Sequence, residues 1–242
     1  MIIAHLFSFT MENVFGFGPS RFREYNGSRR GRCASETGKI ALSQFSDQMY
    51  TWHDPTYLKT GTPRQQAAYH SLQLLGIFET LKAFTPVLVG TVPIDVDIAS
   101  SDLDIICQAA DLDIFQNVIL DAYGEMPDFQ VKRKSIERIP SVVAHFPFEG
   151  FPIEIFGQAL PVQAQQAYRH MIIEARLLEL FGEQARTSIR KLKQSGLKTE
   201  PAFGRYFHLE GDPYLALLKL EILSDDELLR RFSPSPRYSE PT

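Results

Sequence analysis

The spacing of apolar residues changes along the chain, from a helical period to strand-like runs and back to a helical period. Early in this pattern, Thr62-Pro63-Arg64-Gln65 predicts a helix that begins with a capping box and a proline in its first turn. An apolar stripe follows, and Gly76 is the type of residue that commonly ends a helix. We therefore predict one helix that ends at Gly76 and a second, shorter helix over 77–84.

The middle of the chain carries short runs that are typical of β-strands. Residues 101–106 alternate polar and apolar side chains, which predicts a strand with one polar face. A helix is predicted over 112–123, and Glu149-Gly150 predicts a hairpin turn. The predicted strands cover residues 86–89, 101–106, 129–134, 142–148 and 151–156.

After Pro161 the pattern is helical to the end of the chain. One long apolar stripe predicts a helix that reaches residue 181. Shorter helices are predicted over 184–194, 201–207, 214–223 and 225–232. The predicted fold class is α+β, with a mixed β-sheet, flanking helices and a helical C-terminal half that begins at about residue 161.

The two ends of the chain differ from the region between them. Residues 1–48 show no sustained period, so we expect a poorly ordered extension, with Met49 as an alternative start. Residues 49–232 are expected to form the folded domain, and the Pro- and Ser-rich residues 233–242 a flexible tail. Removal of residues 1–48 is expected to leave the thermal midpoint almost unchanged.

Composition narrows the class of protein. The 242 residues are 44% hydrophobic and 22% charged, which excludes a coiled coil, a collagen or a mostly disordered chain. The net charge is −4, so a long nucleic acid is not an expected partner. The chain has two cysteines, Cys33 and Cys107, and no apolar run of membrane-spanning length. We expect a cytoplasmic protein with no membrane contact.

Candidate chemistry begins at the turn Gly90-Thr91, which follows a buried strand. A glycine there lets backbone N–H groups approach an anion closely, with a hydroxyl beside them. Ten residues later, Asp102 and Asp104 are two apart on a predicted strand and share one face. Two adjacent carboxylates suit a hard cation such as Mg²⁺, although a pair of solvated surface aspartates gives the same pattern.

A third acid strengthens the cation interpretation. Glu154 lies between Ile153 and Ile155 on another predicted strand. If that strand neighbours the aspartate strand, Glu154 joins the same face. Three acids beside a Gly-hydroxyl turn are typical of phosphoryl-transfer sites, in which metal ions bridge phosphates and activate a hydroxyl.

Polar residues of the helical half carry weaker hypotheses. Lys198 precedes a predicted helix N-cap at Thr199 and either contacts a phosphate or is a solvated lysine. His170 and Glu174 are four apart on one helix face, and they either line a cleft or form an exposed pair, which is the preferred interpretation.

Three other features of the middle region have simple structural interpretations. Asp95 and Asp97 are predicted to form a turn rather than bind a ligand. The basic run Lys132-Arg133-Lys134 either meets nucleic acid or forms a solvated strand edge, which is preferred. Cys107 is predicted to be a core residue.

The glycine turn and the three acids together resemble the signature of the nucleotidyltransferase (DNA polymerase beta-like) superfamily. The wider sequence resembles one branch, the domain-of-unknown-function family numbered 4269, over roughly residues 49–232. The stretches that carry this resemblance are Tyr57-Leu58-Lys59-Thr60-Gly61-Thr62-Pro63-Arg64-Gln65-Gln66, Gly90-Thr91-Val92-Pro93, Ser101-Asp102-Leu103-Asp104-Ile105, Glu154-Ile155-Phe156-Gly157-Gln158, Tyr168-Arg169-His170-Met171 and Gly196-Leu197-Lys198-Thr199-Glu200-Pro201-Ala202-Phe203.

The resemblance implies a catalytic and metal-binding set and a nucleotide-binding set. Asp102, Asp104 and Glu154 are implied to be the catalytic ligands of Mg²⁺, with Mn²⁺ as an alternative. The implied nucleotide-binding residues are Gly90, Thr91, Ser101 and Lys198. The superfamily usually has Gly or Ser where this chain has Thr91, which keeps the hydroxyl but adds a β-branch.

The resulting functional prediction is a Mg²⁺-dependent nucleotidyltransferase. It would transfer a nucleoside monophosphate from an NTP to a hydroxyl acceptor whose identity the sequence does not reveal. The alternative is a catalytically inactive member of the fold that binds a nucleotide or a protein partner. A phosphohydrolase that uses the same acids is a third hypothesis.

Overall fold

The computed structural model describes residues 52–136 and 138–233. Its strands form one mixed sheet in the spatial order β1-β2-β5-β4-β3. The central pair, β2 and β5, is parallel, and the other neighbours are antiparallel. The strand bounds are β1 Val87–Val89, β2 Leu103–Gln108, β3 Gln130–Ile136, β4 Ile139–Phe148 and β5 Phe151–Gln158.

Helices precede the sheet, connect its strands and form the region after it. The α-helices are α1 Pro63–Leu75, α2 Ile77–Thr80, α3 Leu112–Tyr123, α4 Gln166–Gln194, α5 Thr199–Tyr206, α6 Pro213–Leu218 and α7 Asp225–Phe232. Short 3₁₀ helices cover Pro55–Thr60, Lys82–Phe84, Val162–Ala164 and Lys219–Ile222. The predicted α+β class, mixed sheet and helical C-terminal half are therefore confirmed.

Local signals explain why the first helices begin and end where they do. The Thr62 hydroxyl accepts a hydrogen bond from the Gln65 amide (3.3 Å), and the Gln65 side chain accepts one from the Thr62 amide (2.9 Å). This is the predicted capping box, and Gly76 ends α1 with a left-handed φ of 59°. Helix α3 has the predicted bounds, because the Asp111 carboxylate caps its first turn.

The sheet separates two hydrophobic clusters. Leu103, Ile105 and Cys107 of β2 project to one side, where α1 and α3 cover them. There, α3 lies so close that a Cβ atom at Gly157 would be 2.1 Å from the Phe115 ring. The opposite side, with Ile106, packs against α4 and the later helices. Cys107 is therefore a core residue, as predicted.

Two predictions about element boundaries are wrong. The strand predicted at 101–106 is β2, which begins two residues later and ends at residue 108, so Asp102 precedes it. Its polar residue Asp104 is completely buried, which excludes the alternative of a solvated pair of aspartates. The helices predicted to end at residue 181 and to begin again at residue 184 form one element, α4. Its backbone breaks locally at Gly182 (φ 66°, ψ −159°), a conformation that essentially only glycine adopts.

The predictions for residues 1–48 lie outside the described residues, as do those for the tail apart from Ser233. Of the helices that the structure describes, none combines the length and apolar character that crossing a membrane requires.

Candidate functional site

A pair of buried carboxylates lies at the centre of the sheet. Asp104 on β2 is directly opposite Glu154 on β5, and both side chains are buried. The two Asp104 oxygens accept no hydrogen bond from the described residues. Burial, and then the charge of Glu154, raise the pKa of Asp104 to about 8. The structure therefore brings these two predicted acids together. Their burial side by side costs folding free energy, which the charge of a bound cation would offset.

The loop from Gly90 to Asp102 closes on itself through hydroxyl groups. Gly90 has a positive φ of 84°, which turns the chain directly after β1. The Thr91 hydroxyl donates a hydrogen bond to Ser101 Oγ (3.2 Å), which also accepts one from the Ile98 amide (3.0 Å). Thr91 and Ser101 thus join the two ends of the loop and hold the predicted phosphate turn beside Asp102.

Helix α1 fixes this loop from one side. The Arg64 guanidinium forms an ion pair with Asp97 (2.8 Å) and donates a hydrogen bond to the Ser101 carbonyl (2.9 Å). The Gln65 side chain donates one to the Val92 carbonyl (2.8 Å). The capping-box segment therefore begins α1 and also positions the loop that carries the candidate site.

Helix α4 fixes the same loop from the other side. Arg186 donates to the Ile94 carbonyl, and Arg190 forms an ion pair with Asp95 (2.8 Å). Asp95 has the left-handed backbone (φ 55°) expected of a turn residue. Asp95 and Asp97 thus shape the loop as predicted, and in addition they are ion-pair partners of cations from both halves of the protein.

A cavity of about 230 Å³ lies between the end of this loop and the helical half. Ser101, Asp102 and Lys198 line it together with Lys193 and Tyr214. A narrower void, lined by Gly90, Thr91 and Asp104, adjoins it, since Thr199 and Glu200 line both spaces. Every predicted site residue except Glu154 thus borders one of two adjoining spaces.

Two expectations for the helical half are corrected. Helix α5 begins at Thr199 with Lys198 at the N-cap position and without a side-chain cap, so Thr199 is not the predicted cap. Thr199 is buried in the cavity wall, whereas Lys198 is exposed, as expected of a solvated lysine. His170 and Glu174 are 2% and 3% exposed, so the preferred exposed pair is wrong.

The reason is that α4 turns this polar face inward, onto the loop and Asp104 of β2. Nε2 of His170 donates a hydrogen bond to the Tyr214 carbonyl oxygen (3.1 Å). Since a carbonyl oxygen can only accept, Nε2 is the donor in this bond. Glu174 lies beside Gly90 and Asp104 at the narrower void. The alternative interpretation, a pair that lines a cleft, describes this arrangement.

Sequence reasoning missed the group of charges formed by Glu174, Lys193 and Glu200. Burial raises the pKa of Glu174, with a further rise from Glu200 that Lys193 opposes. Burial likewise raises the pKa of Glu200, and it lowers that of Lys193 to about 8. Within the described ranges Lys193 is the only buried Lys or Arg, so buried carboxylates outnumber buried cations here. The signal in the sequence that could have indicated this group was the presence of polar residues within the apolar stripes of α4 and α5.

His145 is a second residue that sequence reasoning missed. It lies on β4 directly opposite Glu154, with His145 Nδ1 3.4 Å from Glu154 Oε2. Burial, together with the charges of Lys134 and Lys132, lowers the pKa of His145 to about 4. The imidazole is therefore neutral near pH 7. The predicted two-residue turn Glu149-Gly150 fixes the register of β4 against β5, and that register places His145 opposite Glu154.

The donor set fits a hard divalent cation, although the full predicted set is not assembled. Asp104 and Glu154 offer carboxylate oxygens, and those of Asp104 lack hydrogen-bond donors. Asp102 lines the adjoining cavity. Over residues 52–136 and 138–233, no group of three or more His, Cys, Asp or Glu side chains is arranged to hold a metal ion. The three-carboxylate metal set stays a prediction.

Comparison with known proteins identifies the family. The model of a domain of unknown function, DUF4269, matches residues 70–220. The chain belongs to this family. The predicted family membership is thus confirmed, and the family description itself assigns no activity. No curated protein matches the chain.

Solved structures with a similar arrangement are nucleotidyltransferases. They include Cid1, an RNA terminal uridylyl transferase (14% identity, TM-score 0.40, 73% of this chain and 52% of that one). The GLD-2/RNP-8 complex (15%, 0.42, 69% and 61%) and the polymerase core of TRAMP (11%, 0.40, 73% and 58%) are others. The chain spans between half and two thirds of their length.

Proposed function

We propose that this DUF4269 protein is a Mg²⁺-dependent nucleotidyltransferase that transfers a nucleoside monophosphate from an NTP to a hydroxyl acceptor. The observation that carries the proposal is the pair of Asp104 and Glu154 on adjacent central strands, both buried, next to the Gly90-Thr91 turn. A purely structural role does not explain this pair, because two buried carboxylates side by side destabilise the fold.

Mg²⁺, or alternatively Mn²⁺, would be held by Asp104 and Glu154 with Asp102. Such an ion supplies charge that stabilises the phosphates and the developing alkoxide during transfer. The raised pKa of Asp104 supports this assignment, since a bound cation restores the ionised form that burial disfavours.

The nucleotide phosphates would bind in the cavity of about 230 Å³. Lys193 and Lys198 supply positive charge from the helical half, and Ser101 lies on the opposite wall. The turn Gly90-Thr91, held by the Thr91–Ser101 hydrogen bond, borders the adjoining void. This arrangement supports a role in nucleotide binding for Gly90, Thr91, Ser101 and Lys198, with Lys193 added to the predicted set.

The transfer itself requires an acceptor hydroxyl in line with the α-phosphorus. The hydroxyl oxygen forms a bond to that phosphorus while the bond to the bridging oxygen of pyrophosphate breaks. The hydroxyl proton would pass to a carboxylate of the pair, and because the surrounding residues bury this pair, bulk water has little access to the reacting atoms. Residues of the loop act by holding the phosphates still, since α1 and α4 fix the loop from both sides.

The test is isothermal titration of ATP, GTP, CTP and UTP with Mg²⁺ and with EDTA. The proteins are wild type, the double variant Asp102→Asn/Asp104→Asn, and the control Asp121→Asn, whose exposed aspartate lies on α3. We expect Mg²⁺-dependent binding of at least one NTP to wild type and to the control, and its loss in the double variant. Absence of binding to wild type in both conditions contradicts the proposal.

A catalytically inactive nucleotide-binding protein is the second candidate. The observation that favours it is that the described residues do not assemble three metal-binding side chains. This candidate predicts equal NTP affinity in Mg²⁺ and EDTA and no pyrophosphate release. The transferase proposal predicts that pyrophosphate release accompanies transfer to an acceptor and disappears in the double variant.

We also infer a cytoplasmic location, where NTPs and Mg²⁺ are available. The support is Cys107, a free thiol that is fully buried in β2. The acidic net charge supports a small acceptor rather than a long nucleic acid as partner.

A further inference from the structure

One buried histidine connects the two adjoining spaces of the candidate site. His170 of α4 lines the narrower void together with Asp104, Glu174 and Glu200. Its Nε2 donates a hydrogen bond to the carbonyl oxygen of Tyr214 (3.1 Å), and Tyr214 lines the cavity of about 230 Å³. The same side chain therefore borders the void beside the acids and contacts a residue of the proposed nucleotide cavity.

The contact with Tyr214 involves both its backbone and its ring. In addition to the hydrogen bond, the imidazole and phenol rings are edge to face, with centroids 6.0 Å apart and an interplanar angle of 74°. A hydrogen bond depends on angle as well as distance, so a donor on a buried helix restrains the position of the carbonyl group that it contacts. His170 thus restrains the first turn of α6 relative to α4.

Helix α6 is short, so few contacts determine its position. Of its six residues only Leu217 is buried. Pro213 packs against α5, where a Cβ atom at Gly204 would be 2.8 Å from Pro213 Cβ. The Asp212 carboxylate accepts a hydrogen bond from the Tyr214 amide (2.9 Å), but this bond is local to the start of the helix. The bond from His170 is a polar contact that reaches Tyr214 from a different part of the chain.

Tyr214 shares its cavity with groups that are proposed to bind the nucleotide phosphates. It is half-buried and lines the cavity together with Ser101, Lys193 and Lys198. Burial, and then the charges of Glu200 and other nearby acids, raise the pKa of the Tyr214 hydroxyl to about 12, so the phenol is neutral near pH 7. A cavity wall that is ordered before the ligand arrives gives higher affinity, because no ordering cost falls on the binding step.

Helix packing alone does not explain a histidine at position 170. Burial of a polar ring costs free energy, and Nδ1 of His170 has no hydrogen-bond partner among the residues that the structure describes. Met171 and Leu177 of the same helix are as deeply buried and fill the core with apolar side chains. The polar exception is the residue that contacts Tyr214.

We propose that His170 is a positioning residue of the nucleotide cavity, which acts by holding Tyr214 in the cavity wall. This inference rests on the proposed function, because the cavity is the one assigned to the NTP. Its consequence is that removal of the Nε2 donor lowers NTP affinity only while the Tyr214 side chain is present.

The test is a double-mutant cycle on NTP affinity, measured by titration with Mg²⁺ of whichever of ATP, GTP, CTP and UTP binds wild type most tightly. His170→Phe keeps a ring and removes the donor, whereas His170→Gln keeps an N–H donor near the position of Nε2. We expect His170→Phe to bind the NTP about fivefold more weakly than wild type, and His170→Gln to recover most of the affinity. Tyr214→Ala and His170→Phe/Tyr214→Ala should bind it equally weakly.

The control is His70→Phe, because His70 is exposed on α1 and its replacement should leave NTP affinity unchanged. His170→Asn, whose shorter amide does not reach the carbonyl, replaces His170→Phe in the cycle if circular dichroism shows that His170→Phe does not fold. Three results overturn the inference alone: wild-type affinity in the variant without the donor, an equal loss in His170→Gln, or the same further loss in the Tyr214→Ala background. Absence of NTP binding to wild type contradicts the transferase proposal and this inference together.

Discussion

The two faces of β2 differ in chemistry, because one is entirely apolar and the other carries a buried carboxylate. Leu103, Ile105 and Cys107 pack into an apolar layer under α1 and α3. Asp104, on the other face, lies against Glu154 with no hydrogen bond to its oxygens from the described residues. The first face contributes stability through burial of apolar area, whereas the second contains charge that burial disfavours. The buried charge of Asp104 is therefore tolerated because apolar residues pack on both sides of the sheet, including Ile106 on the same face of β2.

The largest expected effect comes from opening the packed face. Phe115→Ala removes a fully buried ring that lies against Gly157, and we expect the free energy of unfolding to fall by about 4 kcal/mol. Urea unfolding followed by circular dichroism measures the change. Phe148 at the hairpin is only half-buried, so Phe148→Ala should cost clearly less. Equal losses would contradict the importance of the Phe115–Gly157 contact.

A change on the acid face should act in the opposite direction. The folded Asp104 carboxyl keeps its proton up to about pH 8, whereas an unfolded aspartate releases it near pH 4. Between these values the folded state binds more protons, so the stability of the metal-free protein falls as pH rises. We expect Asp104→Asn to be more stable than wild type at pH 8, by about 3 kcal/mol, and to lose most of this advantage at pH 4.

Thermal unfolding in EDTA at a series of pH values measures this difference. Asp121→Asn is the control, because its carboxylate is exposed. Parallel pH profiles for wild type and Asp104→Asn would show that the raised pKa of Asp104 has no influence on stability.

The loop that joins the two faces should respond to loss of its α1 contact. Arg64→Ala leaves Asp97 buried without its ion-pair partner and removes the hydrogen bond to the Ser101 carbonyl. We expect a loss of about 2 kcal/mol at pH 8 in urea unfolding. Burial already raises the pKa of Asp97, so protonation at low pH should make the loss smaller. Arg205→Ala, at an exposed position on α5, is the control, and an equal loss there would remove this explanation.

The smallest expected effect concerns the hydroxyl bond that closes the loop. Thr91→Val keeps the shape of the side chain but removes the donor to Ser101 Oγ, so unfolding should become easier by about 1 kcal/mol. Thr60→Val removes an exposed hydroxyl bond to the Tyr57 carbonyl and should change stability much less. If the two variants behave alike, the Thr91–Ser101 bond does not hold the loop.

Local chemistry explains which elements were predictable. The Thr62–Gln65 capping box and the residues of α3 were predicted because capping and apolar spacing act within a few residues. That Asp104 and Glu154 lie opposite each other could be predicted only on the assumption that their strands are neighbours. Nothing in the sequence states that β2 and β5 are parallel neighbours. Once that pairing exists, alternation places both acids on one face.

What the sequence did not reveal depends on contacts between distant segments. The burial of His170 and Glu174 follows from how α4 packs on the sheet, and an i, i+4 spacing is equally compatible with exposure. His145 is different, because the predicted turn at Glu149-Gly150 fixes the β4–β5 register and so places it opposite Glu154. Lys193 was missed because a lysine near a helix end normally remains in solvent.

The break at Gly182 has a consequence for how the protein can change. The segment of α4 that follows it contains Arg186, Arg190 and Lys193, which contact the loop or line the candidate nucleotide cavity. A Cβ at Gly182 would meet no atom within 4 Å, so a side chain there is opposed by backbone torsion and not by crowding. One dihedral pair therefore aims three cations, and a single substitution at this joint would move all of them together with Ala185 and Ile189, which the same segment packs into the core.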